Sequence, residues 1–207
     1  MAARGGYGRR PPTPTQQRMT EDLSRPPARG KDLWVFAYGS LTWDPGFPFE
    51  EARPALLRGY HRAFCLYSTH YRGTPERPGL VLGLDRGGAC RGIAYRIAAP
   101  RVAAAWAYLW EREMLDDAYA CRVLRLRVGG RVVHARGFVI DRAHRSYAGK
   151  LGIARMAEII RGAHGRRGAC SAYLENTVRR LDQLGIPDRR LHELLAAVRG
   201  GEGRPGG

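Results

Sequence analysis

Hydrophobic positions between residues 32 and 141 follow the patterns of β-strands. The run Leu33–Tyr38 is apolar without interruption and stops at Gly39, which predicts a strand buried on both faces and ended by a turn. Residues typical of strands recur in five later segments: His61–Tyr67, Leu80–Leu84, Cys90–Ile97, Cys121–Val128 and Arg131–Ile140. This part of the chain is therefore predicted to form one sheet.

Glycine pairs and one helical segment divide these strands. Gly129-Gly130 predicts a two-residue hairpin turn, and Gly87-Gly88 predicts a similar turn between the second and third of the five later strands. A helix is predicted from Pro100 to about Leu115, because proline fits the first turn of a helix and apolar residues follow at helical spacing.

After Tyr147 the pattern becomes helical. One helix is predicted over Ile153–Ala163, and a second begins at Ser171, a good N-cap, and ends near Gly185. Asp188 can cap a last helix, whose apolar stripe consists of Leu191, Leu194, Leu195 and Val198. Strands followed by helices predict an α+β domain, either a small barrel or a curled sheet with helices packed outside.

The two ends of the chain lack such patterns. Residues 1–30 are rich in Pro, Gly, Arg and Thr, and we interpret them as a disordered basic tail before a domain at residues 31–199, with a frayed end at 200–207. No apolar stretch approaches the ~18–20 residues that a membrane span needs, and no apolar run follows the N-terminal charges as in a secretory signal. We therefore expect a cytoplasmic protein with no membrane partner.

The charge of the chain is strongly basic, with a formal net charge of +16. Such a charge can attract nucleic acid, but only Lys31 and Lys150 are lysines, and the abundance of Arg, Gly, Ala and Pro is what a GC-rich genome produces. No zinc-finger, RNP-type or G-x-x-G motif accompanies it, so nucleic acid is not the expected partner. The four cysteines have no metal-site spacing and are predicted to be buried thiols.

Two glutamates close the helix predicted at residues 100–115. At about 100° per residue, Glu113 lies on the apolar face with Trp106, whereas Glu111 lies on the opposite side and should face solvent. Burial raises the pKa of a carboxylate toward neutrality, which suits a general base. The pattern leaves two interpretations open: Glu113 is a catalytic carboxylate, or it is a buried partner of an arginine.

Two further segments combine glycine with polar side chains. The predicted strand runs into Tyr38-Gly39-Ser40-Leu41, where successive backbone amides can form an anion nest. The loop Tyr71–Gly79 carries Arg72, which could clamp a carboxylate, and Glu76, a rival acid/base. Taken alone, each segment favours an ordinary turn or connection over a binding site.

Taken together, these motifs resemble the ChaC family in order and spacing. The resemblance covers residues 33–198 and rests on the following elements: Tyr38-Gly39-Ser40-Leu41 with Trp43 and Pro45, Gly59 with Arg62 and Phe64, Arg72-Gly73-Thr74 before Pro78-Gly79, Gly92–Arg96, Trp110–Met114 and Tyr173–Thr177.

The resemblance implies a small mixed barrel and γ-glutamylcyclotransferase activity on glutathione, with Glu113 as the catalytic residue. It also implies a substrate site formed by Val35, Phe36, Ala37, Tyr38, Gly39, Ser40, Leu41, Arg72 and Tyr173. The implied reaction needs no metal or other cofactor. One segment departs from the pattern, because Gly168–Ala172 reads Gly-Ala-Cys-Ser-Ala where the family has Gly-Pro-Asn-x-Asp, and this affects the assignment of Tyr173 most.

Two other functions remain open from the sequence. The chain could act on other γ-glutamyl amides or dipeptides, or it could be an Arg-rich nucleic-acid-binding or regulatory protein on the same scaffold. The intact Glu113 argues against a catalytically silent protein. The sequence does not indicate an oligomeric state.

Overall fold

The computed structural model describes residues 23–28, 30–114 and 117–200, and within them five strands close into a barrel in the order β1-β3-β2-β4-β5. These strands are β1 (Leu33–Ala37), β2 (Glu51–Ser68), β3 (Gly79–Ile97), β4 (Tyr119–Val128) and β5 (Arg131–Ile140). All neighbours pair antiparallel except β1 and β5, which are parallel where Val35 pairs with Arg136. The prediction of an α+β fold with a small mixed barrel is confirmed.

Four helices of the described chain pack against the barrel. They are α1 (Val102–Met114), α2 (Ile153–Gly162), α3 (Cys170–Gln183) and α4 (Arg189–Gly200). A short hairpin of β6 (His164–Gly165) and β7 (Gly168–Ala169) joins α2 to α3. Helix α1 begins after a 3-10 turn that contains Pro100, as predicted, while its predicted end at Leu115 lies outside the described residues.

Strand β1 lies between two apolar clusters, which explains its unbroken apolar sequence. Phe36 belongs to the cluster that includes the apolar faces of α2, α3 and α4. Val35 and Ala37 belong to the other cluster, with Trp106 and Leu109 of α1. Because both faces of β1 are covered, the position of the turn after Ala37 is fixed by packing on two sides.

The prediction that Gly87-Gly88 forms a turn between two strands is wrong. Both glycines lie inside the 19-residue strand β3, with φ of 99° and 68°, opposite Gly59 with φ of 86°. The pairing changes register there, from Arg58 with Ala89 to Tyr60 with Arg86. The glycines therefore serve a bulge that bends a long two-stranded ribbon. By contrast, Gly129-Gly130 forms the predicted hairpin turn between β4 and β5.

Two further boundaries differ from the sequence prediction. The first half of β2 was not predicted, because Pro54 and the charged residues around it hide the strand pattern. Helix α3 begins at Cys170, so Ser171 lies within its first turn and is not the N-cap. The Cys170 thiol donates to the Leu80 carbonyl at 3.1 Å and accepts from the Leu80 amide at 3.3 Å, which ties the start of α3 to β3.

The predicted tail at residues 1–30 lies largely outside the described residues, and its boundary with the domain stays a prediction. Its last part does contact α1 and the barrel: the Trp106 indole of α1 donates to the Ser24 carbonyl at 2.9 Å, and the Arg136 guanidinium of β5 donates to the carbonyls of Leu23 and Arg25. Residues 201–207, most of the predicted frayed end, also lie outside. In the described residues no helix is long and apolar enough to cross a membrane, and the cytoplasmic location stays a prediction.

Gly92→Ala is expected to lower the free energy of unfolding by about 1–3 kcal/mol through overpacking. A Cβ at this position of β3 would lie 2.3 Å from the Ala37 carbonyl oxygen and 2.8 Å from the Phe36 ring. Gly152→Ala is the control, because a Cβ there has nothing within 4 Å. Urea denaturation measures both, and equal stabilities for the two variants would contradict the close packing of β1 on β3.

Candidate active site

A cleft of about 410 Å³ opens where several parts of the chain meet. They include the end of α1, the turn after β1, the loop between β2 and β3, the β6–β7 hairpin, the start of β4 and the first turn of α3. Four residues predicted for the site line this cleft: Ser40, Arg72, Glu113 and Tyr173. The fold thus brings together residues that are far apart in sequence.

Glu113 projects into the cleft from the last turn of α1, and its side chain is 16% exposed. Burial raises the pKa of this carboxyl above its ordinary value of 4.5, while the charges of Arg112 and Arg167 act in the opposite direction. Glu111 is exposed, as predicted, but it also borders the cleft. The two glutamates therefore lie on the same side of the protein but differ in how far they are exposed to solvent.

Arg112 connects the end of α1 to the turn after β1. Its guanidinium lies 3.4 Å from Glu113 Oε1 and donates to Ser40 Oγ at 3.1 Å. It also donates to the Asp44 carbonyl at 2.8 Å and to the Tyr108 hydroxyl at 2.7 Å. One largely buried cation therefore holds the carboxylate and the turn at a fixed separation.

The turn itself forms a 3-10 helix at Ser40–Thr42. The Thr42 amide and hydroxyl both donate to the Gly39 carbonyl, at 2.9 and 2.8 Å. The amides of Ser40 and Leu41 belong to the first turn, where helical geometry provides no acceptor. The turn can therefore present backbone donors beside Ser40 in the cleft.

Arg62, a residue of the motif on β2, holds the strand end that precedes this turn. It is buried, and it donates to the Tyr38 carbonyl at 2.6 Å and to the Arg91 carbonyl at 2.7 Å. It also pairs with Asp188 at 3.1 Å, and Asp188 in turn accepts from the Leu191 amide at the start of α4. The predicted cap of the last helix thus also neutralises the cation that fixes β1.

Three tyrosines lie close enough to Glu113 for its charge to act on them: Tyr38 and Tyr173 are buried, and Tyr119 is partly buried. Burial is the main cause that raises the pKa of each phenol, and the Glu113 carboxylate raises it further. These hydroxyls therefore stay protonated, and the Tyr119 hydroxyl donates its proton to the Leu82 carbonyl at 2.8 Å. Tyr38 lies just behind the lining residues, whereas Tyr119 and Tyr173 line the cleft.

Glycines allow the loop at residues 69–78 to pack closely against neighbouring backbone. A Cβ on Gly73 would lie 2.1 Å from the Gly79 amide nitrogen, and one on Gly165 of β6 would lie 2.5 Å from the Tyr71 carbonyl carbon. This close approach lets Arg72 donate to the Arg167 carbonyl at 2.5 Å and lie 5.1 Å from the centre of the Tyr173 ring. Arg72 therefore uses part of its hydrogen-bonding capacity to hold the hairpin on the loop.

Several residues predicted for the substrate site lie elsewhere. Val35, Phe36 and Ala37 are fully buried in the two apolar clusters, and Leu41 is buried with them. Gly39 faces the Tyr173 hydroxyl, 3.6 Å from where its Cβ would be. The strand preceding the turn thus supports the site from behind, because every position of β1 is needed for packing.

Sequence reasoning missed several polar residues that line the cleft, among them Tyr71, Tyr108, Arg112, Tyr119 and Arg167. Arg112 stood inside a recognised motif, but nothing in its spacing indicated a role. The hairpin that carries Arg167 is only two residues long per strand, too short for a periodic signal. The rival acid Glu76 is not among the lining residues.

A second cavity of about 480 Å³ is lined by β2 and β3, by the segment before α2, and by residues of α2 and α4. Its buried carboxylate is Asp85, which accepts hydrogen bonds from Arg142 at 2.6 Å and Tyr147 at 2.9 Å. Burial alone would raise the pKa of Asp85, but these bonds lower it overall. A carboxylate held as an ion in this way is a weak base, so the Glu113 cleft is the better candidate for acid/base chemistry.

The chain is similar to several known proteins. The family model described as ChaC-like protein matches residues 33–201. The glutathione-specific γ-glutamylcyclotransferase of Escherichia coli K12 is 37% identical over 168 residues, covering 81% of this chain and 73% of that protein. γ-Glutamylcyclotransferase 2-3 of Arabidopsis thaliana is 32% identical over 177 residues, covering 81% and 88%.

The fold is also similar to a solved structure. The yeast γ-glutamylcyclotransferase specific to glutathione superimposes with a TM-score of 0.76 at 22% identity, over 82% of this chain and 96% of that one. The family model and the relatives from E. coli and Arabidopsis show the family. This chain belongs to the ChaC-like family of γ-glutamylcyclotransferases.

Proposed function

We propose that this chain degrades glutathione by cyclising its γ-glutamyl group, releasing 5-oxoproline and Cys-Gly. The observation that carries the proposal is the poorly solvated Glu113 carboxylate in a cleft lined by hydrogen-bond donors. The names of the E. coli and yeast relatives support glutathione as the substrate. Family membership supports cyclisation in place of hydrolysis.

In the proposed reaction the α-amino nitrogen of the substrate attacks the carbonyl carbon of its own γ-amide. Glu113 removes a proton from the attacking amine, and the bond between the carbonyl carbon and the cysteinyl nitrogen then breaks. The same carboxyl returns its proton to the departing cysteinyl nitrogen, so neither water nor an added nucleophile is consumed. A carboxyl with a raised pKa can exchange protons in both directions near neutral pH.

The remaining residues of the cleft bind and orient the substrate. The Ser40 and Leu41 amides of the turn and the Tyr173 hydroxyl supply donors for the carbonyl oxygen, which becomes negative during the attack. Folding the γ-glutamyl group so that its amine meets its own carbonyl contributes by proximity. Arg112 positions Glu113 and the turn, and its charge lowers the pKa of Glu113 against the effect of burial.

The second candidate substrate class consists of other γ-glutamyl amides and dipeptides. It is favoured by the relative from Arabidopsis, whose name specifies γ-glutamylcyclotransferase without glutathione. Parallel assays with glutathione and γ-glutamyl-alanine separate the two, because a glutathione enzyme turns over the dipeptide far more slowly.

Glu113→Gln is expected to lower 5-oxoproline formation by about 10²–10⁴-fold, because glutamine keeps the shape but cannot carry the proton. Mass spectrometry of the products and circular dichroism of the variant measure activity and folding together. Glu76→Gln is the matched control and should retain wild-type activity, since Glu76 lies outside the cleft. A folded Glu113→Gln variant with near wild-type activity would overturn the assignment of the base.

The pH dependence of kcat/KM is expected to follow the carboxylate form of Glu113. Activity should fall as the pH drops through a pKa that is higher than that of an ordinary glutamate. The charge of Arg112 favours the carboxylate, so Arg112→Met should move this acidic limb to higher pH, whereas Arg112→Lys should leave it near its wild-type position. A limb that does not move in Arg112→Met would contradict the coupling between the two side chains.

N-acetyl-glutathione is expected to resist cleavage. Acetylation removes the nucleophilic lone pair of the α-amine, so the ring cannot close, although both carboxylates and the scissile amide remain. Liquid chromatography of the reaction mixture measures its consumption, with glutathione as the control. Cleavage of both substrates at similar rates would exclude the amine as the nucleophile.

A further inference from the structure

Arg167 stands at the tip of the β6–β7 hairpin and differs from the other two arginines that line the cleft. Arg112 is held by Glu113, Ser40, Tyr108 and Asp44, and Arg72 donates to the Arg167 and Ala169 carbonyls. In the described part of the chain, the Arg167 guanidinium has no hydrogen-bond acceptor and rests 4.8 Å from the centre of the Tyr71 ring. Its donors are thus free for a ligand.

The hairpin holds Arg167 in place before any ligand binds. The amides of Arg166 and Arg167 donate to the carbonyls of His70 and Tyr71, at 2.9 and 3.0 Å. Gly165 sits directly on the backbone of the same loop, where a Cβ would meet the Arg72 amide nitrogen at 2.6 Å. A cation that is fixed by its backbone and stacked on a ring loses little freedom on binding an anion.

The cleft has a buried inner part and a solvent-exposed outer part. The Glu113 side chain is largely buried, whereas Arg167 is exposed at the rim. The reacting amine and γ-amide must reach Glu113, so the part of the substrate beyond the scissile bond extends toward the rim. The cysteinyl and glycyl residues beyond the scissile bond span at most about 7 Å when extended. The Arg167 guanidinium is near enough to Glu113 for its charge to lower the pKa of that carboxyl.

We infer that Arg167 binds the glycyl carboxylate of glutathione and selects γ-glutamyl substrates whose leaving group ends in a carboxylate. This inference rests on the proposed function and names a specificity residue for it. The planar guanidinium can donate two parallel hydrogen bonds to a carboxylate, and the Tyr71 ring keeps its plane fixed. Other γ-glutamyl amides that lack this carboxylate would leave the Arg167 donors unpaired.

The test compares two variants on two substrates at a pH where wild-type activity no longer changes. Arg167→Ala removes the proposed contact, and Arg166→Ala removes the same charge from the adjacent exposed position outside the cleft. The substrates are glutathione and its glycyl monoethyl ester, which differ only at the carboxylate. 5-Oxoproline release gives kcat and KM for each of the six combinations, including the wild type.

We expect Arg167→Ala to raise KM for glutathione by about tenfold with little change in kcat, which is the pattern of lost ground-state binding. For the ester, the wild type should already have a similarly raised KM, and Arg167→Ala should not raise it further. Arg166→Ala should match the wild type on both substrates.

An equal rise in KM for glutathione and for the ester in Arg167→Ala would overturn the inference, because Arg167 would then bind another part of the substrate. An equal effect of Arg166→Ala would also overturn it in favour of general attraction by the basic hairpin. Failure of the wild type to form 5-oxoproline from glutathione would instead overturn the proposed function itself, and the inference with it.

Discussion

The architecture of the site depends on keeping one carboxylate poorly solvated without losing its ability to ionise. Glu113 lies at the end of α1, in a cleft where burial raises its pKa. Arg112 opposes this effect at 3.4 Å and at the same time binds Ser40 in the turn after β1. The carboxylate and the donor-rich turn are therefore fixed by the same cation, and the proposed chemistry requires both at once.

The barrel supplies the rigidity that this arrangement needs. Strand β1 is packed on both faces, and buried Arg62 holds its Tyr38 carbonyl while pairing with Asp188 at the start of α4. On the other side of the cleft, Gly165 allows the β6–β7 hairpin to touch the loop after β2 backbone to backbone, and Gly73 and Gly79 allow that loop to fold closely on itself. Movement of any one of these segments would displace the cleft residues that it carries.

The sequence predicted the parts that depend on local pattern. The apolar run of β1, the Gly129-Gly130 turn and the inward glutamate all follow from periodicity or turn chemistry. It failed where tertiary contacts decide: Gly87-Gly88 serves a bulge because Gly59 lies opposite on β2. Arg167 could not be found, since its place in the cleft depends on how a short hairpin docks on a distant loop, and Val35, Phe36 and Ala37 were assigned to the substrate site although packing buries them.

The central claim is that the substrate's own amine, and not water, attacks the γ-carbonyl beside Glu113. Turnover of glutathione in water enriched in oxygen-18, followed by mass spectrometry of the first products, tests it most directly. The account predicts 5-oxoproline with no oxygen-18 and an equal amount of Cys-Gly. Free glutamate carrying one oxygen-18 atom in its side-chain carboxylate would contradict it, because that atom could have come only from hydrolytic attack.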